Sequence, residues 1–290
     1  MKQFLQKEDM KKKGLTGMDI VRLALERCQS AKETIKFIKT ITKKYSIGGN
    51  CGYDHNFYYD NSLLIMDRSN LYVVEISKDK FIVQEKDIAN ISNCLSLNSS
   101  IKEDKIYKFF AKSQKRQKTV NEQLRNEIDV KDAMSILRSH NSKNYMNGSV
   151  SSVCMHAGKL IGDHTTNSMI VELLNNKIVI YATMGSLPCL SIYKKGIFGQ
   201  DNFLANDKHY IEIELLKRSI FLRKISLEFY EERDNIENDI INNKIAFKDA
   251  LKKETNLLKK AVKKLPITKK EKRYWKNKTK IFKEENYVNS

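Results

Sequence analysis

Two blocks of β-forming residues, separated by a long polar stretch, restrict the fold of this 290-residue chain more than any other feature. In the first block, apolar runs at 63–66 and 72–76 flank the turn-forming residues Asp67, Arg68, Ser69 and Asn70. This pattern predicts a hairpin, with a third strand over 80–84. The second block runs from 149 to about 193. It opens on "SVSSVCMHAG", which alternates small and apolar residues. The β-rich stretches "TTNSMIVELL" and "KIVIYATMG" then flank Asn175 and Asn176, a strong hairpin signal. "SLPCLSIYK" is expected to leave the sheet through Pro188.

Helical periodicity fills the rest. Thr16, with Asp19 three residues on, caps a helix over 18–28, and Ser30 caps another over 31–45 that Gly48 and Gly49 stop. The stretch 102–127 reads as mostly helical and polar, and Asp129 caps a short helix over 130–139. From His209 the pattern is helical almost to the end, with Pro266 breaking a lysine-rich helix ahead of Trp275. The order of helices, strands, helix, strands, helices predicts an α+β fold with antiparallel sheets rather than βαβ alternation. No internal repeat is evident.

Composition narrows the functional classes. With 41% hydrophobic and 30% charged residues the chain has the make-up of a soluble globular protein. No segment approaches the roughly 20 apolar residues of a membrane helix, so no membrane partner is expected. "MKQFLQKEDMKKK" has no apolar core and is not a secretion signal, which makes cytoplasmic residence the expectation. Cys28, Cys51, Cys94, Cys154 and Cys189 are dispersed, with no CxxC pair, and read mostly as small buried thiols. The net charge of +18 could attract polyanions, but lysine far outnumbers arginine and is spread along the chain, densest over 248–283. A solvated lysine surface accounts for it, and the distribution argues against a nucleic-acid partner.

Chemistry-bearing residues concentrate in "GGNCGYDHNFYYDNS". Cys51 and His55 could pair as thiol and base, and Asp54, His55 and Asp60 could hold a metal. A polar turn held by side chain to backbone hydrogen bonds is the third reading. His156 reads as a hydrogen-bonded core residue, and Ser152 with His156 lacks the glycine pattern of a nucleophile elbow.

"GLTGMDIVRLALERC" (14–28) followed by "GGNCGYDHNFYYDNSLLIMDRSNLYVVEI" (48–76) resembles the secernin and cysteine dipeptidase family of N-terminal-nucleophile hydrolases. "ISNCLSL" (91–97), "SVCMHAG" (152–158), "TTNSMIVEL" (165–173), "GSLPCLSIYK" (185–194) and "HYIEIELLKRSIF" (209–221) extend the likeness in order. The resemblance implies an αββα sandwich, two packed antiparallel sheets with flanking helices, N-terminally incomplete. It would span 14–245, with 246–290 a lysine-rich helical tail. It implies hydrolysis of C–N bonds in small peptides or amides by an N-terminal cysteine, with no cofactor and no metal. Asn61 is the implied oxyanion donor and Arg116 an arginine near the nucleophile. Asn50, Cys51, Tyr59 and Asn93 are implied pocket residues. Homo-oligomerisation stays open.

The family's mature chain starts with its catalytic cysteine, upstream of the "GLTGMD"-like segment. Here a short lysine-rich stretch precedes Gly14 and the first cysteine is Cys28. The expectation is therefore a chain inactive on its own. The alternatives are a related N-acyltransferase, a non-catalytic secernin-like interaction protein, or a basic polyanion binder.

Overall fold

The computed structural model describes residues 13–52, 58, 60–77, 80–97, 112–141, 150–156, 164–200, 207–220 and 225–264. They form an α+β arrangement divided into two units, Met1–Glu127 and Ile128–Ser290, each with one antiparallel three-stranded sheet and its own helices.

In the N-terminal unit, Thr16 starts helix α1 (Gly17–Arg27) through a reciprocal cap. Asp19 N donates to Thr16 Oγ1 at 3.2 Å, and Thr16 N donates to Asp19 Oδ2 at 3.0 Å. These two bonds satisfy backbone donors that a helix start leaves open. Ser30 does the same for α2 (Ala31–Tyr45), accepting from Glu33 N at 3.2 Å. The helix ends at Tyr45 as expected, but the residue that turns the chain is Ser46, with φ of 60°, ahead of the two glycines. The reason is a chain crossing: Leu15 and Ile47 form a parallel bridge, with Leu15 N donating to Ser46 O at 3.1 Å and Gly48 N to Leu15 O at 3.2 Å. A Cβ on Gly14 would sit 2.8 Å from Gly48 N, so the crossing requires glycine there.

Strands β1 (Asn61–Met66), β2 (Leu71–Ser77) and β3 (Lys80–Lys86) follow as a meander, with Leu63 opposite Val74 and Val74 opposite Val83. The hairpin turn also docks the sheet on α2. Asp67 accepts from Ser69 N and Asn70 N, each at 2.8 Å, and from Ala31 N at 2.9 Å. Those backbone bonds hold its carboxyl below the usual carboxylate range. Ile20, Ala24, Ile38 and Ile41 of the helices close over Tyr72, Val74 and Ile76 of β2. Strand alternation therefore turns Val73, Glu75 and Ser77 to the opposite face, where they too are buried. Helix α3 (Ser113–Asn121) completes the unit.

The C-terminal unit starts with α4 (Val130–Leu137), capped as expected by Asp129, which accepts from Asp132 N at 2.8 Å. Strands β4 (Met169–Leu173) and β5 (Ile178–Ala182) form the hairpin around Asn175 and Asn176, closed by Leu174 N donating to Lys177 O at 3.0 Å. Two expectations fail here. Residues 150–156 form turns and bends rather than a strand. Their backbone donors are used elsewhere: Cys154 N reaches Ser139 O at 3.1 Å and Met155 N reaches Thr165 Oγ1 at 2.8 Å. The chain beyond Pro188 also does not leave the sheet for good. It makes one 3-10 turn (Pro188–Leu190) and returns as β6 (Lys194–Ile197), paired with β5.

Helices α5 (Asp207–Ile220), α6 (Leu227–Ile241) and α7 (Phe247–Lys264) follow. Their Ile213, Phe229, Ile240, Leu257 and Leu258 surround Leu187, Leu190 and Ile192. Gly185 permits the entry to this segment. Its φ is 70°, and an added Cβ would lie 2.1 Å from Glu214 Oε1. The Glu214 carboxylate accepts from Ser186 N and, at 2.8 Å, from Ser186 Oγ, and it pairs with Lys217 at 3.0 Å. Burial acts to raise the Glu214 carboxyl, but Lys217 and Ser186 outweigh it and hold it below its ordinary value.

Replacing Gly185 by Ala combines a disfavoured φ with a clash, so G185A should lower the unfolding free energy by more than about 1 kcal/mol in urea titrations. The depressed Glu214 group contributes its full stabilisation above the unfolded-state value near 4.5 and loses it as pH falls through the lower folded value. Stability measured from pH 6 downward should therefore decline less steeply in Glu214→Gln, from a lower starting level.

Candidate functional site

The sequence-derived site residues fall in the N-terminal unit. Asn50 and Cys51 belong to a local turn: Gly52 N donates to Asn50 Oδ1 at 2.9 Å and the Cys51 thiol to Gly49 O at 3.8 Å. Of the three readings of this loop, the turn accounts for its described part. Asp54, His55, Asn56 and Tyr59 lie outside the described residues. Asn61 is the buried first residue of β1. By strand alternation it shares the face of Leu63 and Ile65, which pack against the α1 and α2 core.

Asn93 and Arg116 do come together. Arg116 is buried on α3, and its Nη2 donates to Asn93 Oδ1 at 2.6 Å. Two further contacts tie α3 to this segment: Gln117 Nε2 donates to Asn90 O at 3.4 Å, and the Cys94 thiol to Gln117 Oε1 at 3.4 Å. From the sheet, the wholly buried Glu75 accepts from Leu97 N at 3.0 Å, from Ser96 Oγ at 3.2 Å and from Ser96 N. Residues 90–97 are thus fixed between the face of β2 that α1 and α2 leave uncovered and helix α3. With its oxygen engaged by a cation, the exposed Asn93 carboxamide presents its N–H donors to whatever lies beside it.

A second constellation, in the C-terminal unit, was not foreseen. His140, Cys154, His156 and Cys189 bring four metal-ligating atoms within 4.8 Å of one another. His156 Nε2 lies 3.1 Å from His140 Nε2, 3.5 Å from Cys154 Sγ and 3.3 Å from Cys189 Sγ. The two imidazoles meet edge to face, with centroids 4.8 Å apart. Cys154, His156 and Cys189 are 0%, 3% and 5% exposed, and His140 is half-buried. Burial acts to raise the Cys189 thiol, but hydrogen bonds from Cys154, His140 and His156 outweigh it and bring it well down. Cys154, whose thiol donates to Cys189 inside a dry interior, is pushed well up.

Buried charges position Cys189. Arg233 Nη1 donates to Cys189 O at 2.6 Å, and Arg138 Nε to Pro188 O at 2.9 Å. Arg138 also reaches Ser191 O at 2.7 Å and forms a two-pronged pair with Glu237, whose Oε2 lies 2.7 Å from Nη1. Glu237 accepts from Tyr193 N at 2.7 Å, Glu254 accepts from Ile192 N at 2.9 Å, and Lys194 pairs with Glu254. Lys217 donates to Ser186 O at 2.6 Å and to Ser191 Oγ at 3.1 Å.

Sequence reading missed this cluster because its members arrive from three segments, 16, 2 and 33 residues apart in the pairs above. The "Cys-x-His" at 154–156 was the one local signal. No family model matches the chain, and no solved structure matches it. Among the described residues, no helix is long and apolar enough to cross a membrane.

Truncating one member of a buried pair leaves the other charge uncompensated, at a cost of about 3–5 kcal/mol. Glu237→Ala should reach that range in denaturant unfolding, whereas Asp249→Ala, which removes the exposed Lys252 pair, should change stability by about 1 kcal/mol or less.

Proposed function

We propose that the chain carries the acyl-binding part of an amide-bond hydrolase of the N-terminal-nucleophile kind, acting on dipeptides or similar small amides. The observation that carries this reading is the Asn93–Arg116 contact of 2.6 Å. It joins the position that the resemblance gives to the pocket, Asn93, with the one it gives to an arginine near the nucleophile, Arg116, and it does so between a strand-following segment and a helix remote in sequence.

In such a site a cysteine thiolate attacks the amide carbonyl carbon, and the carbonyl oxygen takes up the negative charge. The Asn93 carboxamide donates an N–H to that oxygen, while Arg116 fixes the amide orientation through Oδ1 and adds positive charge nearby. The leaving nitrogen takes a proton as the C–N bond breaks, and water then hydrolyses the acyl-cysteine. Asn61 is the second candidate donor, and its place on the helix-covered face of the sheet favours Asn93 over it. The attacking thiol is that of a cysteine whose own α-amino group serves as base, as the resemblance implies. On this reading the α+β fold is of the αββα class that the resemblance implies.

The 290-residue chain incubated with a dipeptide panel should show no turnover. A form extended by in-frame upstream codons so that it begins with a cysteine should hydrolyse members of the panel. In that form Asn93→Ala should lower kcat by about 100-fold or more, with Asn61→Ala lowering it much less. Turnover by the unextended chain that vanishes in Cys51→Ser would overturn the proposal, as would an extended chain indifferent to Asn93.

A further inference from the structure

The cluster of His140, Cys154, His156 and Cys189 stands apart from the proposed hydrolase residues, and its chemistry is different. Hydrogen bonding alone accounts poorly for it. An imidazole Nε2 has one site, either an N–H or a single in-plane lone pair. Yet three ligand atoms surround His156 Nε2 at 3.1, 3.3 and 3.5 Å. A single ion at the centre of the four groups explains why they converge.

The spacings also have the right size. With Zn–S near 2.3 Å and Zn–N near 2.0–2.1 Å, tetrahedral geometry separates two nitrogens by about 3.3 Å and a nitrogen from a sulfur by about 3.5 Å. The three pairs made by His156 Nε2, with nitrogen at 3.1 Å and sulfur at 3.3 and 3.5 Å, match this pattern, and the widest of the remaining pairs, within 4.8 Å, would close by about 1 Å around an ion. The donor set of two thiols and two imidazoles contains no carboxylate, which disfavours magnesium and calcium and suits a borderline-soft ion.

We propose that His140, Cys154, His156 and Cys189 form a tetrahedral zinc site that locks the 186–194 segment to the loop following α4. All four positions of the ion are filled by protein atoms, so the site is structural, with no open position for substrate or water. Binding forms two Zn–S and two Zn–N bonds. Any protons held by the two thiols and by the imidazole Nε2 atoms pass to solvent as the ion enters. The arginine contacts to the Pro188 and Cys189 carbonyls hold Cys189 in place before the metal arrives.

The test uses the full chain purified under reducing conditions without chelator. Elemental analysis should find about one zinc per chain. Exchange for cobalt should give the visible absorption of a tetrahedral ion together with a near-ultraviolet thiolate-to-cobalt band. X-ray absorption on the zinc form should show two sulfur and two nitrogen neighbours. Cys189→Ser and His156→Gln should each weaken the metal by more than the about 10–100-fold typical of losing an outer hydrogen-bond partner, whereas Cys51→Ser, in the other unit, should leave it unchanged. Should the ligand variants fail to fold, the cobalt and X-ray absorption spectra of the unaltered chain still decide the matter. A folded, reduced chain that holds no zinc and develops no cobalt–thiolate band overturns the proposal, as does zinc retained at full affinity by both ligand variants. Neither result depends on hydrolase activity, so this inference and the proposed function fail separately.

Discussion

A stretch of chain whose regular hydrogen bonding is limited to one 3-10 turn runs through the interior of the C-terminal unit, and its other backbone polar groups must find partners there. Residues 184–194 meet that requirement through charged side chains. Glu214, Glu237 and Glu254 accept the amide hydrogens of Ser186, Tyr193 and Ile192, while Lys217, Arg138 and Arg233 take carbonyls from Met184 to Ser191. Each ion would be costly in a dry interior alone, by several kcal/mol. Here each acid lies against a base and both are bonded to the backbone they serve. The arrangement also supports Leu187, a buried non-glycine residue with φ of 58°, a conformation that costs roughly 1–3 kcal/mol.

The N-terminal unit solves a smaller version of the same problem. Glu75 sits mid-strand, wholly buried, where a β-rich sequence would place an apolar residue. Its carboxylate gathers the amides of Ser96 and Leu97, which would otherwise be unpaired against the sheet. The result is a loop fastened at one end to the sheet, with Asn93 bonded to Arg116 a few residues before. In both units, then, an acidic side chain shapes irregular backbone, and the chemistry-bearing residue lies a few positions away.

What the sequence disclosed was local. The Thr16–Asp19, Ser30 and Asp129 caps, the Asp67 turn and the Asn175–Asn176 hairpin all depend on residues within four positions of each other, and all are found. The alternation over 150–156 misled because strand formation also needs a neighbour, and Ser139 and Thr165 took its donors instead. Nor does composition reveal that Lys194 and Lys217 are interior. In a chain rich in lysine, and with Glu214 and Lys217 at helical spacing, they look like surface charges. Asn93 and Arg116 were both picked out, but their contact spans 23 residues and is set by where α3 docks. The cysteine–histidine group was illegible for the same reason, carried further: three separate segments define it.

The buried pairs also bear on how the unit assembles. Arg138 meets Glu237 from 99 residues away, and Ile192 meets Glu254 from 62. Closing loops of that length costs entropy before any contact repays it, and topologies dominated by such contacts reach the native state slowly. The Cys189 carbonyl therefore waits for Arg233 of α6, and the Ile192 amide for Glu254 of α7. A ribosome-bound chain ending before Glu254 would leave Lys194, at the start of β6, without its buried partner, so α7 completes the surroundings of that strand.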